Sequence, residues 1–115
     1  MSNPTTAATA HFLLIETRTP GALEDDGLLG DGLAQAEIGH QVTLFLIQDA
    51  VAWTLPTHAP LLGRLSAAGV RIWVDDFSLT QRGLAGRALP HGATQVTMDD
   101  VAEAVLAPEI RVVWH

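Results

Sequence analysis

The sequence predicts an α/β fold in which a five-stranded, mainly parallel sheet carries helices on both faces. Two observations point to it. Short runs rich in β-branched and aromatic residues, "HFLLIE", "QVTLFLIQDAV", "VRIWVDD", "ATQVTM" and "IRVVWH", alternate along the chain with segments of helical spacing. Parallel neighbours need a crossover, and a helix is its usual form.

The elements follow in order. "HFLLIE" (11–16) reads as a strand closed by "TRTPG", where Pro20-Gly21 punctuates a loop. In "EDDGLLGDGLAQAEIGH" the apolar residues Leu28, Leu29, Leu33, Ala36 and Ile38 recur at helical spacing. Acids at its start suit the helix dipole, and Gly39 serves as its C-cap. Residues 41–51 read as a second buried strand. "WTLPTHAP" is then a loop and "LLGRLSAAG" (61–69) a short helix stopped by Gly69. "VRIWVDD" is a third strand, and "SLTQRGLAG" is a helix with Ser78 as its expected N-cap. "ATQVTM" is a strand and "DDVAEAVL" a helix with Asp99 as its expected N-cap. Pro108 stops that helix, and "IRVVWH" is the last strand.

The chain has 115 residues, of which 48% are hydrophobic and 17% charged, so it forms one folded domain over residues 11–115. Residues 1–10, "MSNPTTAATA", lack the positive and apolar regions of a signal peptide and read as a flexible tail, which suggests a cytoplasmic protein. The formal net charge is -7, with six arginines, no lysine and thirteen acids. Nucleic-acid binding depends on basic residues that neutralise phosphates, so it is set aside. A membrane is set aside too, because no apolar stretch reaches the ~18 residues of a span. Cysteine is absent, which excludes disulfides, thiolate metal sites and any persulfide held on this chain.

In parallel α/β sheets ligands gather at the carboxyl ends of the strands. Asp25, Asp26, Asp49, Asp75 and Asp76 stand near such ends, yet no known ligand spacing unites them, so no metal and no cofactor are expected. A phospho-accepting receiver domain would need an acidic pair after the first strand and a lysine near the last; "TRTP" and the missing lysine exclude it. His11, His40, His58, His91 and His115 show no paired spacing and read as structural or solvated. Ser78 lacks the glycines of a nucleophile elbow, and "GLLGDGLAQ" does not fit a dinucleotide loop. Arg82 stands within reach of Asp75 or Asp76. Trp73 and Trp114, lying in strands, are expected in the core, and Trp53, in a loop, is a candidate interface anchor. The site candidates, for a pocket or an interface, are therefore Asp49, Trp53, Asp75, Asp76, Ser78 and Arg82.

The run "HQVTLFLIQDAV", a short helix, "GVRIWVDDFSLTQRGL", "MDDVAEAVL" and the final "RVVWH" together resemble the DsrE/DsrF-like family of small sulfur-relay proteins, which includes the Tus subunits of tRNA thiolation. The similarity runs from residue 11 onward. It implies a three-layer α/β/α sandwich and assembly into trimers or hexamers, homomeric or mixed. In sulfur-carrying members a cysteine ends the third strand about seven residues before an Arg-Gly pair; counting back from Arg82-Gly83 puts Asp75 there. A carboxylate has no sulfur nucleophile with which to form a persulfide. The leading expectation is thus a non-catalytic subunit that assists a cysteine-bearing sulfur carrier or binds a small ligand at an Asp75 pocket. The alternatives are a small enzyme using Asp75 or Asp76 as acid or base, and a purely structural homo-oligomer.

Overall fold

A computed structural model of the chain describes residues 9–21 and 27–115. The expected tail therefore lies almost wholly outside the described residues, as do Asp25 and Asp26. Five strands, β1 (His11–Glu16), β2 (Gln41–Leu46), β3 (Arg71–Asp75), β4 (Thr94–Val96) and β5 (Ile110–Trp114), form one sheet in the order β4-β3-β2-β1-β5. Every pairing is parallel. Helices α1 (Leu28–Glu37), α2 (Ala59–Ala67), α3 (Asp76–Gln81) and α4 (Met98–Val105) make the crossovers, so the fold is the α/β architecture that the alternation predicts.

Strand alternation divides the apolar residues between two faces. Leu14, Leu44, Ile72 and Val74 point to the layer of α1, α2 and α3, where Leu29, Leu62, Leu65 and Leu79 complete the larger core. Leu13, Ile15 and Phe45 point the other way, toward Val96 and Val101, in a smaller core under α4. Burying each such leucine or phenylalanine contributes about 1.5–3 kcal/mol. The two faces are thus unequally covered: three helices shield one, and the eight residues of α4 shield the other.

Two helix ends depend on glycine. Gly39 and Gly69 take φ of 101° and 95° after α1 and α2, a region that a side chain strains to enter. Each turns the chain directly into the next strand.

Four expectations are corrected by the local geometry. The second strand stops at Leu46, and Gln48–Thr54 curls into a 3-10 helix, η1. This part of the apolar run "QVTLFLIQDAV" is continuous because η1 also faces the core, through Ala50, Val51 and Trp53. The N-cap of α3 is Asp75, whose side chain accepts from the Ser78 N–H, so Ser78 lies inside the helix. The N-cap of α4 is Thr97, in a reciprocal capping box with Asp100, and Asp99 lies within the first turn. Trp114 is 67% exposed rather than core, because β5 is an edge strand and α4 ends short of it, whereas Trp73 is half-buried beside β4.

Candidate functional site

The carboxyl ends of β2 and β3 lie side by side, Leu46 against Val74, so the turns that leave them meet. Asp75 ends β3 in extended backbone, and its Oδ2 accepts two hydrogen bonds, from the Ser78 N–H at 2.9 Å and from the Ser78 hydroxyl at 2.6 Å. The Ser78 Oγ in turn accepts from the N–H of Gln48 at 2.8 Å. Gln48 has a φ of 57°, uncommon for a residue with a side chain, and this bond helps to hold it there. A three-residue relay therefore ties the β2-to-η1 turn to the β3-to-α3 turn.

The relay is closed to solvent. Asp75 is 1% exposed and Ser78 3%. The second carboxylate oxygen, Oδ1, is buried without a hydrogen-bond partner, which leaves part of the cost of desolvating that group uncompensated. Asp76 begins α3, half-buried, where its charge suits the helix dipole. Phe77 beside it is 62% exposed.

Arg82 does not pair with Asp75 or Asp76. Its guanidinium reaches across to Asp49 on η1, with Nη2 at 2.8 Å and Nε at 3.2 Å from the Asp49 Oδ1. With side chains 32% and 68% exposed, this pair is a surface bridge worth under about 1 kcal/mol. Trp53 lies buried on η1 rather than standing out from a loop. Its ring meets His58 edge-on, and its Nε1 is buried without a partner. The structure thus brings Asp49, Asp75, Ser78 and Arg82 to one end of the sheet and sends the Trp53 side chain into the core.

A second polar cluster closes the same end at β1. Glu16, 3% exposed, accepts from the Arg18 N–H and meets the Nδ1 of His115 at 2.8 Å. The His115 carbonyl accepts from both the N–H and the hydroxyl of Thr17, which fastens the end of β5 to the end of β1. His40 has a structural contact, its Nδ1 accepting from the Ala10 N–H at 2.9 Å.

Among the described residues, surface cavities that Asp75 does not line lie elsewhere. One of about 320 Å³ sits at the amino ends of the central strands, bordered by His11, His40, Thr43 and Arg71. One of about 500 Å³ runs between Trp73, β4 and the acids of α4, and one of about 660 Å³ lies between α1 and α2. The first was not legible in the sequence, since only sheet register draws together residues that are 60 positions apart. Among the described residues no cluster of three or more histidines and acids is arranged to hold a metal, and no helix is long and apolar enough to cross a membrane.

The model of the DsrE/DsrF-like family matches residues 13–113. Among solved structures, the crystal structure of the ychN protein from E. coli superposes with a TM-score of 0.82 at 20% identity, over 93% of this chain and 100% of that one. At that identity the likeness speaks for the fold. No curated protein matches.

Proposed function

Because the chain belongs to the DsrE/DsrF-like family, which is linked to sulfur relay, we propose that it is a non-catalytic, oligomeric subunit that assists intracellular sulfur transfer performed by a cysteine-bearing partner. The observation that carries this reading is the state of Asp75. By its spacing from Arg82-Gly83 it stands where a carrier's cysteine would end β3, and it is a capping carboxylate sealed under Ser78 and Gln48. No thiol exists elsewhere in the chain to take its place.

The same burial weighs against acid-base chemistry at this position. A general acid or base must come within hydrogen-bond reach of its substrate, and Asp75 is buried with one oxygen bound to its own helix. A partner-assisting role is therefore preferred over an enzyme, and over a ligand held at Asp75. Members of this family are typically oligomeric. The exposed apolar side chains of Met98, Val105, Leu106 and Trp114, on α4, just after it and on β5, support assembly of this chain as well.

The test has two parts. Mass spectrometry of proteins that co-purify with a tagged copy is expected to identify a companion bearing a reactive cysteine, and light scattering a particle larger than one chain. The purified protein alone is expected to move no sulfane sulfur from donor to acceptor. Transfer by the isolated chain overturns the proposal.

A further inference from the structure

From the amino ends of β1, β2 and β3 we infer a second site, a pocket for a compact tetrahedral oxyanion, at the opposite end of the sheet from Asp75. Register brings its walls together. His11 pairs with Gln41, Leu13 with Thr43, and Thr43 with Arg71, so His11, Thr43 and Arg71 stand on one face of three adjacent strands. The turns that end α1 and α2, at Gly39-His40 and Ala68-Gly69, close the rim around about 320 Å³. That is the lower end of the range for small-molecule sites.

The charge of this pocket runs against that of the molecule. In a chain of thirteen acids and six arginines, one arginine and two histidines line it and no acid does. The cavity beside β4 and the groove between α1 and α2 each carry glutamate. Arg71 makes no ion pair among the described residues, so its five N–H donors remain available. His40 accepts at Nδ1 from the Ala10 N–H, which places the proton of the neutral ring on Nε2, a donor. His11 approaches Thr43 Oγ1 only at 3.4 Å.

The carboxyl ends of α1 and α2 lie beside the pocket, and their dipoles would oppose an anion. Several carbonyls of their last turns are occupied, however. The Ile38, Gly39 and His40 N–H groups bind the Ala34, Ala36 and Gln35 carbonyls respectively, Ala68 N–H binds those of Arg64 and Leu65, Gly69 N–H that of Ser66 and Val70 N–H that of Leu65. The lining thus offers a planar guanidinium and, at His40, an imidazole N–H, a set that suits phosphate or sulfate oxygens.

The inference is independent of the role proposed above. It is tested by titrating the folded protein, labelled with 15N, with inorganic phosphate, sulfate and glycerol phosphate in low-chloride buffer. Saturable shifts at the Gly39, Gln41 and Gly69 amides are expected. Tighter binding of glycerol phosphate would identify an organic phosphate as the ligand, and equal binding would identify the free oxyanion. Arg71→Gln is expected to weaken binding roughly tenfold or more, since it removes charge-assisted hydrogen bonds, whereas Arg64→Gln, in the groove between α1 and α2, leaves it unchanged. The absence of saturable shifts with all three anions, or equal binding by Arg71→Gln, overturns the site.

Discussion

Replacing Asp75 by alanine should destabilise the protein far more than removal of a surface acid would. The magnitude follows from two losses. An N-cap carboxylate replaced by alanine costs about 0.5–2 kcal/mol. The Ser78 hydroxyl, 3% exposed, then loses its acceptor at 2.6 Å, and a buried polar group left unpaired costs roughly 1–3 kcal/mol. Together these give about 1.5–5 kcal/mol. At about 2.1 cal/mol/K of unfolding entropy per residue, 1 kcal/mol is worth about 4 °C in a chain of 115 residues, so Tm should fall by roughly 6–20 °C. Asp75→Asn should fall by much less, since its amide oxygen can still accept from Ser78. Thermal and urea unfolding followed by circular dichroism measure both. Adding Ser78→Ala completes a double-mutant cycle, for which a coupling of about 1–2 kcal/mol is expected. An Asp75→Ala protein as stable as the parent, or a coupling near zero, refutes the relay.

Two further outcomes are expected. Gly69→Ala meets no atom within 4 Å of the added carbon, so its cost is that of the backbone at φ 95°, about 1–2 kcal/mol by urea unfolding, with the fold retained. Arg82→Ala should change stability by under about 1 kcal/mol, because its bridge to Asp49 is solvated; a larger loss would show that the pair is tied into the relay beneath it.

The alternation of strand and helix is legible in the sequence because burial on both sides demands continuous apolar runs, and "HFLLIE" and "TLFL" supply them. The same property hides η1. Ala50, Val51 and Trp53 are as apolar as a strand because they too face the core, and nothing local marks Leu46 as the point where pairing ends. Helix starts are blurred for a related reason. Both "DDFS" and "TMDD" offer several side chains able to cap, and which one does depends on where the strand before it lets go. At the candidate site, the resemblance, counted back from Arg82, points to Asp75, but the bond from the Gln48 N–H to its hydrogen-bond partner Ser78 joins segments 30 positions apart and leaves no mark in the sequence. The partner of Arg82 is misread for that reason. Asp49 is distant in the chain and near in space, and the sequence shows only the first.

The path of the last segment has a consequence for how the molecule holds its shape. β4 binds β3 at one margin of the sheet, β5 binds β1 at the other, and α4 passes between them over the thinly clad face. Residues 94–114 therefore act as a strap buckled at both margins. Should it lift, two backbone rows lose their partners in a single event and the smaller core is stripped bare, leaving an intermediate poised to stick to its own kind. A growing chain that has not yet made this segment is in the same exposed condition.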